Sequence, residues 1–313
     1  MEGIVEVKIR DPELYADSKR FYDQKRKLGN QYKGSGSDGH RKSVAEVPDS
    51  EVLWLRDYQV GRNIKPKQWR IYYDIGLCAR LGLYCYNSHK GTDYKFESLR
   101  QCYTKFGPSF TKLSIIWEAM DPADSSPLTF ETILNHADRR TKEDGMLWWE
   151  TCVCRVKDQP VTFLAGSKEA YHKWDNGAID ARYKGEMPKW LSDDDQQQCY
   201  VVQESELQDK DNWWLHLFTE IAFYTKWHGT LRPRDVADCL PLETQKVVVE
   251  TRGEEAATEP REKLKAANAV FYISFECGDD PPTGEEASYR AVVRKTMDGK
   301  PGHMRLEVVC WSI

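Results

Sequence analysis

Seven histidines, nine cysteines and a set of strand-borne glutamates are the side chains here that could move protons, attack carbon or hold a metal. A zinc site needs ligand pairs two to four residues apart, twice over. His89, His136, His172, His216, His228 and His303 share no spacing of that kind. Cys152 and Cys154 lie two apart on a predicted strand, hence on one face, and no second pair stands nearby, so structural burial is the expected role. Cys78 and Cys85, seven apart in a helical run, fall near one helix face and read as core. The cysteine count is odd and no CxxC pair occurs, so all nine thiols are expected to be reduced and metal-free. Glu118, Glu150 and Glu276 are potential acids, but nothing in the sequence supplies a partner that would shift their pKa. With no nucleophile–base arrangement and no cofactor fingerprint, the expectation is no catalytic site, no cofactor and no metal: not an enzyme.

The tryptophans offer a different chemistry, that of recognition. Trp148-Trp149 and Trp213-Trp214 are adjacent pairs, so one ring of each can enter a core while its neighbour faces outward. Trp174 and Trp190 sit in a polar segment, where they either pin that segment to the surface beneath or form a patch for a partner. These six, Trp148, Trp149, Trp174, Trp190, Trp213 and Trp214, are the candidate interaction surface.

The elements that must position them are read from periodicity. From Tyr72 to Asn87, apolar residues recur at three- and four-residue spacing, which predicts a helix. Strands follow at Tyr94–Tyr103, Phe110–Met120, Leu128–Leu134 and Met146–Val156, bounded by Gly91 and Gly107-Pro108. The order then repeats. Asn212–Trp227 reads as an amphipathic helix, and Leu242–Thr251, Ala269–Cys277, Tyr289–Thr296 and His303–Cys310 read as strands. Asp298-Gly299 and Pro301-Gly302 supply a hairpin loop between the last two. Placing Glu118 over Glu276 also places Asp121 over Asp279. The expected fold class is α+β: two units, each with one long helix packed on an antiparallel sheet of about four strands. Short strands at Val52–Val60 and Cys199–Glu206 are expected to lead into the two helices.

The expected domains are a flexible basic arm with a short helix (1–45), a first unit (46–156), a connector (157–198) and a second unit (199–313). The arm's helix starts at Asp11-Pro12-Glu13 and carries Leu14, Phe21 and Leu28 seven apart; Gly34–Gly39 is linker-like. Residues 1–70 carry 15 Lys/Arg against 11 Asp/Glu within a chain of net charge −5. That balance gives no reason to expect nucleic acid or an anionic membrane as the main partner. No apolar run approaches the ~18 residues that span a bilayer. The N-terminus lacks a secretory signal, and no asparagine stands in a glycosylation sequon, so the expected location is nucleus or cytoplasm.

Two resemblances add to this reading. The string ARLGLYCYN (79–87), followed by strands, is similar to the end of the plant cystatin helix. From about Glu51 to Trp311 the chain more closely resembles a plant, mainly crucifer, family of uncharacterised cystatin-like proteins associated with male-sterility, meiotic and embryo-defective loci. The strings that carry it are ARLGLYCYN (79–87), WEAMDP (117–122), YKGEMPKWLSDD (183–194), YVVQESE (200–206), WLHLFTEIAFY (214–224) and VRKTMDGKPGHMRLEVVC (293–310). The resemblance implies two cystatin-like units, a role in reproductive development or meiosis, and action by binding a protein partner. The alternative it raises is inhibition of papain-like cysteine proteases, which in cystatins uses a Q-x-V-x-G hairpin and a Pro-Trp loop. Here the hairpin is Lys105–Phe110, without that motif; Gln245–Val249 ends in valine where the wedge needs glycine, and Pro188-Lys-Trp190 is wrongly spaced. A third reading, an enzyme of unknown class, would need a pocket with converging titratable groups.

Overall fold

A computed structural model of the chain describes residues 62–63, 70, 72–106, 110–123, 125–138, 145–157, 174–192, 196, 199–251, 259–281 and 283–313. The expected arm with its helix, Gly34–Gly39, the Val52–Val60 strand and the hairpin tip at 107–109 lie outside the described residues. So do His172 and the acidic run at 193–195.

Strand β1 (Arg62–Asn63) precedes helix α1 (Tyr73–Lys90). Four strands follow: β2 (Lys95–Phe106), β3 (Thr111–Met120), β4 (Pro127–Asp138) and β5 (Met146–Val156). After the connector the same succession recurs: β6 (Tyr200–Val201), a helical turn α2 (Glu204–Leu207), helix α3 (Trp213–Trp227), a short α4 (Pro233–Ala237), then β7 (Leu242–Glu250), β8 (Ala269–Cys277), β9 (Ala287–Thr296) and β10 (Met304–Ser312). All strands join one antiparallel sheet in the order β1-β2-β3-β4-β5-β10-β9-β8-β7-β6. The last strand of each half meets the last strand of the other, with Leu306 opposite Trp149 and Glu307 opposite Trp148. The sheet order therefore reads the same from either edge inward.

Helix α1 ends where Gly91 takes a left-handed conformation (φ 66°) and its N–H returns to the Asn87 carbonyl, a stop that glycine makes without steric cost. It runs one turn past the expected Asn87 because His89 and Lys90 suit the negative end of the helix dipole. Its apolar residues bury nearly all round rather than as one stripe: Leu77, Cys78, Ala79, Leu81 and Leu83 are all in the core. The reason is that α1 faces both the sheet and α3. The expected strand Cys199–Glu206 is corrected likewise. Only Tyr200–Val201 pairs, since Gln203 opens a helical turn in which the Glu206 carboxylate accepts from its N–H at 2.9 Å.

One hydrophobic core runs beneath both helices. Trp117 and Phe130 stack at 4.5 Å in the first half, and Phe275 and Tyr289 at 5.3 Å in the second. Trp117 and Phe275, which flank the aligned strand positions, are both fully buried. Each such ring contributes about 1.5–3 kcal/mol on removal from water. The opposite face of β7–β10 is covered by the connector, where Ile179, Tyr183, Trp190 and Leu191 pack against Val248, Val270, Tyr272 and Val292. Buried Arg294 holds that segment by donating to the carbonyls of Gly185 (2.9 Å) and Glu186 (3.0 Å), and it pairs with Glu307 (2.7 Å).

The connector is also anchored at Asp298. Its buried carboxylate accepts from the Asp175 N–H (2.8 Å), the Lys300 N–H (3.1 Å) and His303 Nδ1 (2.9 Å), and the Trp174 ring stacks on His303. Burial alone would raise the Asp298 pKa, but these donors hold it below the usual carboxylate value. A depressed pKa stabilises the fold above the unfolded-state value near 3.9, and that contribution is lost as pH falls below it. Asp298→Asn should therefore cost about 2–3 kcal/mol at neutral pH and flatten the loss of stability below about pH 4. Urea titrations of both proteins at pH 7 and pH 3.5 check this, the difference between them shrinking at the lower pH.

Candidate functional site

The two helices meet at a polar seam within the apolar core. Arg80 of α1 reaches Glu220 of α3 with both terminal nitrogens, at 3.0 and 2.5 Å, and the Tyr73 hydroxyl donates to the same carboxylate at 2.7 Å. Helical spacing explains the geometry: Tyr73 and Arg80 lie seven apart, two turns, and so share a face. Burial and the Glu220 charge push the Tyr73 hydroxyl well above its ordinary pKa. Burial alone would lower the Arg80 pKa, but Glu220 and Tyr73 raise it overall.

Beside this seam lies a cavity of about 400 Å³ lined by Arg70, His216, Thr219, Glu220, Ala237, Leu240, Pro241 and Leu242. His216, Thr219 and Glu220 project from one face of α3 by their spacing of three and four. The His216 Nε2–H donates to the Leu207 carbonyl at 3.0 Å, which leaves Nδ1 to face the Thr244 hydroxyl at 3.4 Å; Thr244 in turn meets Thr219 at 3.0 Å. The Glu220 oxygens already accept three donors, which occupies most of their lone-pair sites. The arrangement suits holding a small polar group more than transferring a proton.

The glutamates singled out in the sequence are engaged elsewhere. Glu118 pairs with Arg100 (2.5 Å) and accepts from Ser98, Glu150 pairs with Arg305 (2.5 Å), and Glu276 accepts from Gln245 (2.8 Å). Glu131 with Arg155 and Glu307 with Arg294 continue the pattern. Alternation of strand side chains sets Glu118, Glu131, Glu150 and Glu307 on the sheet face away from the helices. Among the described residues, no three His, Cys, Asp or Glu side chains converge as metal ligands, and no helix is long and apolar enough to cross a membrane.

The six tryptophans divide by strand and helix geometry. Trp149 and Trp214 are buried in the main core, against His136 and Tyr224, and against Tyr84 and Phe271. Trp148 points to the other face, also buried, with the Arg305 guanidinium 5.3 Å from its ring centre. Trp213 is half-buried edge-on to Tyr84. Trp174 lies between the connector and the sheet with Arg305 4.2 Å away, and Trp190 packs edge-on to Tyr272 and Trp311. All six rings are packed, and the partly accessible ones are Trp174, Trp190 and Trp213.

One cysteine expectation is corrected. Cys152 and Cys154 do not share a face, because the β4–β5 register shifts between Ile133 and Leu134 and the bulge breaks the two-residue period. Cys152 meets Asn135 (3.2 Å) on the outer face; Cys154 turns inward to Thr132 (4.0 Å). A residue missed in the sequence is Lys295. It is buried, donates to the Tyr84 hydroxyl at 3.2 Å, and lies within 6 Å of the ring centres of Tyr84, Trp214 and Phe271. The available signal was strand alternation, which puts Lys295 on the same face as Tyr289, Ala291 and Val293.

Several known plant proteins are similar to this chain. The family model described as Protein MS5 matches residues 187–306. A UPF0725 protein of Arabidopsis thaliana is 39% identical over 75% of this chain and 63% of its own length. A second from the same plant is 38% identical over 89% of this chain and 95% of its own length. The chain belongs to the Protein MS5 (UPF0725) family. This is a plant family whose name is linked to male sterility. The crystal structure of MS5 from Brassica napus matches with a TM-score of 0.54 at 23% identity, covering 77% of this chain and 98% of that one. At that identity the likeness bears on the fold alone, and this chain's fold is a mixed α/β one with a large antiparallel sheet and few helices.

Proposed function

We propose that the chain is a non-catalytic protein-binding scaffold of two cystatin-like units, acting in plant reproductive development or meiosis, in the nucleus or cytoplasm. Its partner in this reading is a protein, and neither nucleic acid nor a membrane. The observation that carries it is the commitment of the strand and helix glutamates: Glu118, Glu131, Glu150, Glu220 and Glu307 each face an arginine. Carboxylates held in this way shape a rigid surface and are poorly placed for acid–base work. The long helix laid on four antiparallel strands, twice, supports the cystatin-like description, and the MS5 name supports the reproductive setting. The association of the resembling family with embryo-defective loci extends that setting to the embryo.

The inhibitor reading finds less support. Gln245–Val249 lies inside β7, paired along β8, with Val247 and Val249 fully buried, so it forms no projecting wedge. The test of the binding reading is affinity purification of the tagged full chain from floral buds in meiosis. A stoichiometric protein that rebinds the purified chain with micromolar or tighter Kd is expected. A chain recovered alone, to which no co-purifying protein rebinds, would sink the proposal.

A further inference from the structure

Strand β7 lies near one edge of the sheet, and β6 covers only part of it. β6 is two residues long and pairs with Val248 and Val249; one further bond runs from the Val202 N–H to the Val247 carbonyl, and the chain then leaves the edge at Gln203 to start α2. Among the described residues, the backbone of Leu242–Lys246 pairs with β8 alone, and Glu243, Gln245 and Lys246 are exposed. The outward N–H and C=O groups of such a stretch are a template for one more strand. The cavity of about 400 Å³ lies at the start of the same stretch: Leu242 belongs to both, and Ala237, Leu240 and Pro241 give the cavity an apolar wall. Arg70 supplies a positive charge there. It pairs with Asp238 at 3.1 Å, but the two side chains are 58% and 43% exposed, and an ion pair so open to water is held weakly. Asp238 has Arg234 as a second partner at 3.9 Å, so it keeps a counter-charge when Arg70 turns to another carboxylate. Glu220, which also lines the cavity, is already neutralised by Arg80.

We propose that this open stretch and the cavity together take the free C-terminus of a partner protein, in extended conformation. The inference rests on the protein-binding reading and names the part of the partner that is held. The peptide adds to β7 antiparallel, in the line and direction of β6, which sets its last residue at Leu242 beside the cavity. Main-chain hydrogen bonds to Leu242–Lys246 supply affinity that is independent of sequence, and the cavity supplies the choice of last side chain. An aliphatic side chain packs against Ala237, Leu240 and Pro241, and the terminal carboxylate meets the Arg70 guanidinium in a charge-assisted pair. Direction follows from charge, because a peptide laid the other way would bring its ammonium end to Arg70. Thr244 meets Thr219 of α3 at 3.0 Å, so Leu242 and Thr244 face the helix side. Strand alternation therefore turns Glu243 to the opposite face, away from the bound carboxylate.

The test uses the full-length chain and two libraries of fluorescein-labelled heptapeptides, randomised except for a last leucine, one library ending as the free acid and the other as the amide. Free-acid peptides should be retained on the immobilised chain, and the best of them should bind about tenfold more tightly than its own amide, as read by fluorescence anisotropy. Arg70→Glu should weaken the acid by a similar factor and leave the amide unchanged. Amide hydrogen exchange at Leu242–Lys246 should slow when the peptide is bound, a readout on wild type that needs no variant. Retention of neither library, equal affinity of acid and amide, or a bound peptide that leaves exchange at Leu242–Lys246 unaltered would overturn the proposal. A bud protein that rebinds the chain but is not displaced by a saturating peptide of its own C-terminal sequence would also overturn it, while leaving the protein-binding reading in place.

Discussion

Substituting alanine for Gly82 should destabilise the protein by about 2–3 kcal/mol, and valine should abolish folding at physiological temperature. A Cβ built on Gly82 would stand 2.1 Å from Thr132 Oγ1 and 2.8–2.9 Å from its Cγ2 and Cβ. Thr132 is not free to swing away, because it is buried and its hydroxyl accepts from the Trp117 indole at 3.0 Å. Helix propensity pulls the other way, since alanine is favoured over glycine by about 1 kcal/mol in a helix interior, but the overlap is the larger effect. Gly76, in the same helix, is the control: its Cβ would meet nothing within 4 Å, so Gly76→Ala should stabilise by up to about 1 kcal/mol. Thr132→Ala in the Gly82→Ala background removes two of the three close contacts and should recover about half the loss. Chemical denaturation of the four proteins decides. A Gly82→Ala protein as stable as wild type would mean α1 does not sit this close to the sheet.

Removing Glu220 should cost about 3 kcal/mol, because Glu220→Ala leaves Arg80 without its bidentate partner and the Tyr73 hydroxyl without its acceptor. Both side chains keep limited solvent access, 23% for Arg80 and 17% for Glu220, which keeps the loss toward the lower end of the range for buried pairs. Arg80→Ala should cost a similar amount, and the double variant clearly less than the sum of the two. Combining Arg80→Met with Glu220→Leu should be close to neutral, since an apolar pair avoids the desolvation cost. The seam joins a helix of each half, so wild type should unfold in a single transition by tryptophan fluorescence and by far-UV circular dichroism. Additive single variants would show that the pair is decorative.

Much of this fold was legible in the sequence because its signals are local. Two-residue alternation and turn residues located the strands, and Gly91, Gly299 and Gly302 do adopt the positive φ their places in the chain required. What stayed hidden depends on partners distant in sequence. Alternation says that β5 and β10 have neighbours and is silent about which, so the joining of both halves in one sheet could not be read from it. The bulge that separates Cys152 from Cys154 likewise arises from a mismatch with β4, so it leaves no mark on β5 alone. Glu118 and Glu150 carried no sign of Arg100 and Arg305, the second of which is 155 residues away. Lys295 was passed over because charge suggests a surface, whereas its strand position and the aromatic rings around it place it inside.

The central claim, a scaffold that binds without inhibiting, is tested most directly by titrating the purified full-length chain into papain with a fluorogenic substrate. A cystatin wedge needs glycine where backbone must approach the active-site cleft closely. The nearest string here ends in Val249, buried within a paired strand, and Phe110 stands at the mouth of the Lys105–Phe110 hairpin, 42% exposed. No loss of protease activity is expected at micromolar excess of the chain. Inhibition at nanomolar concentration would contradict the account and make the chain a protease inhibitor.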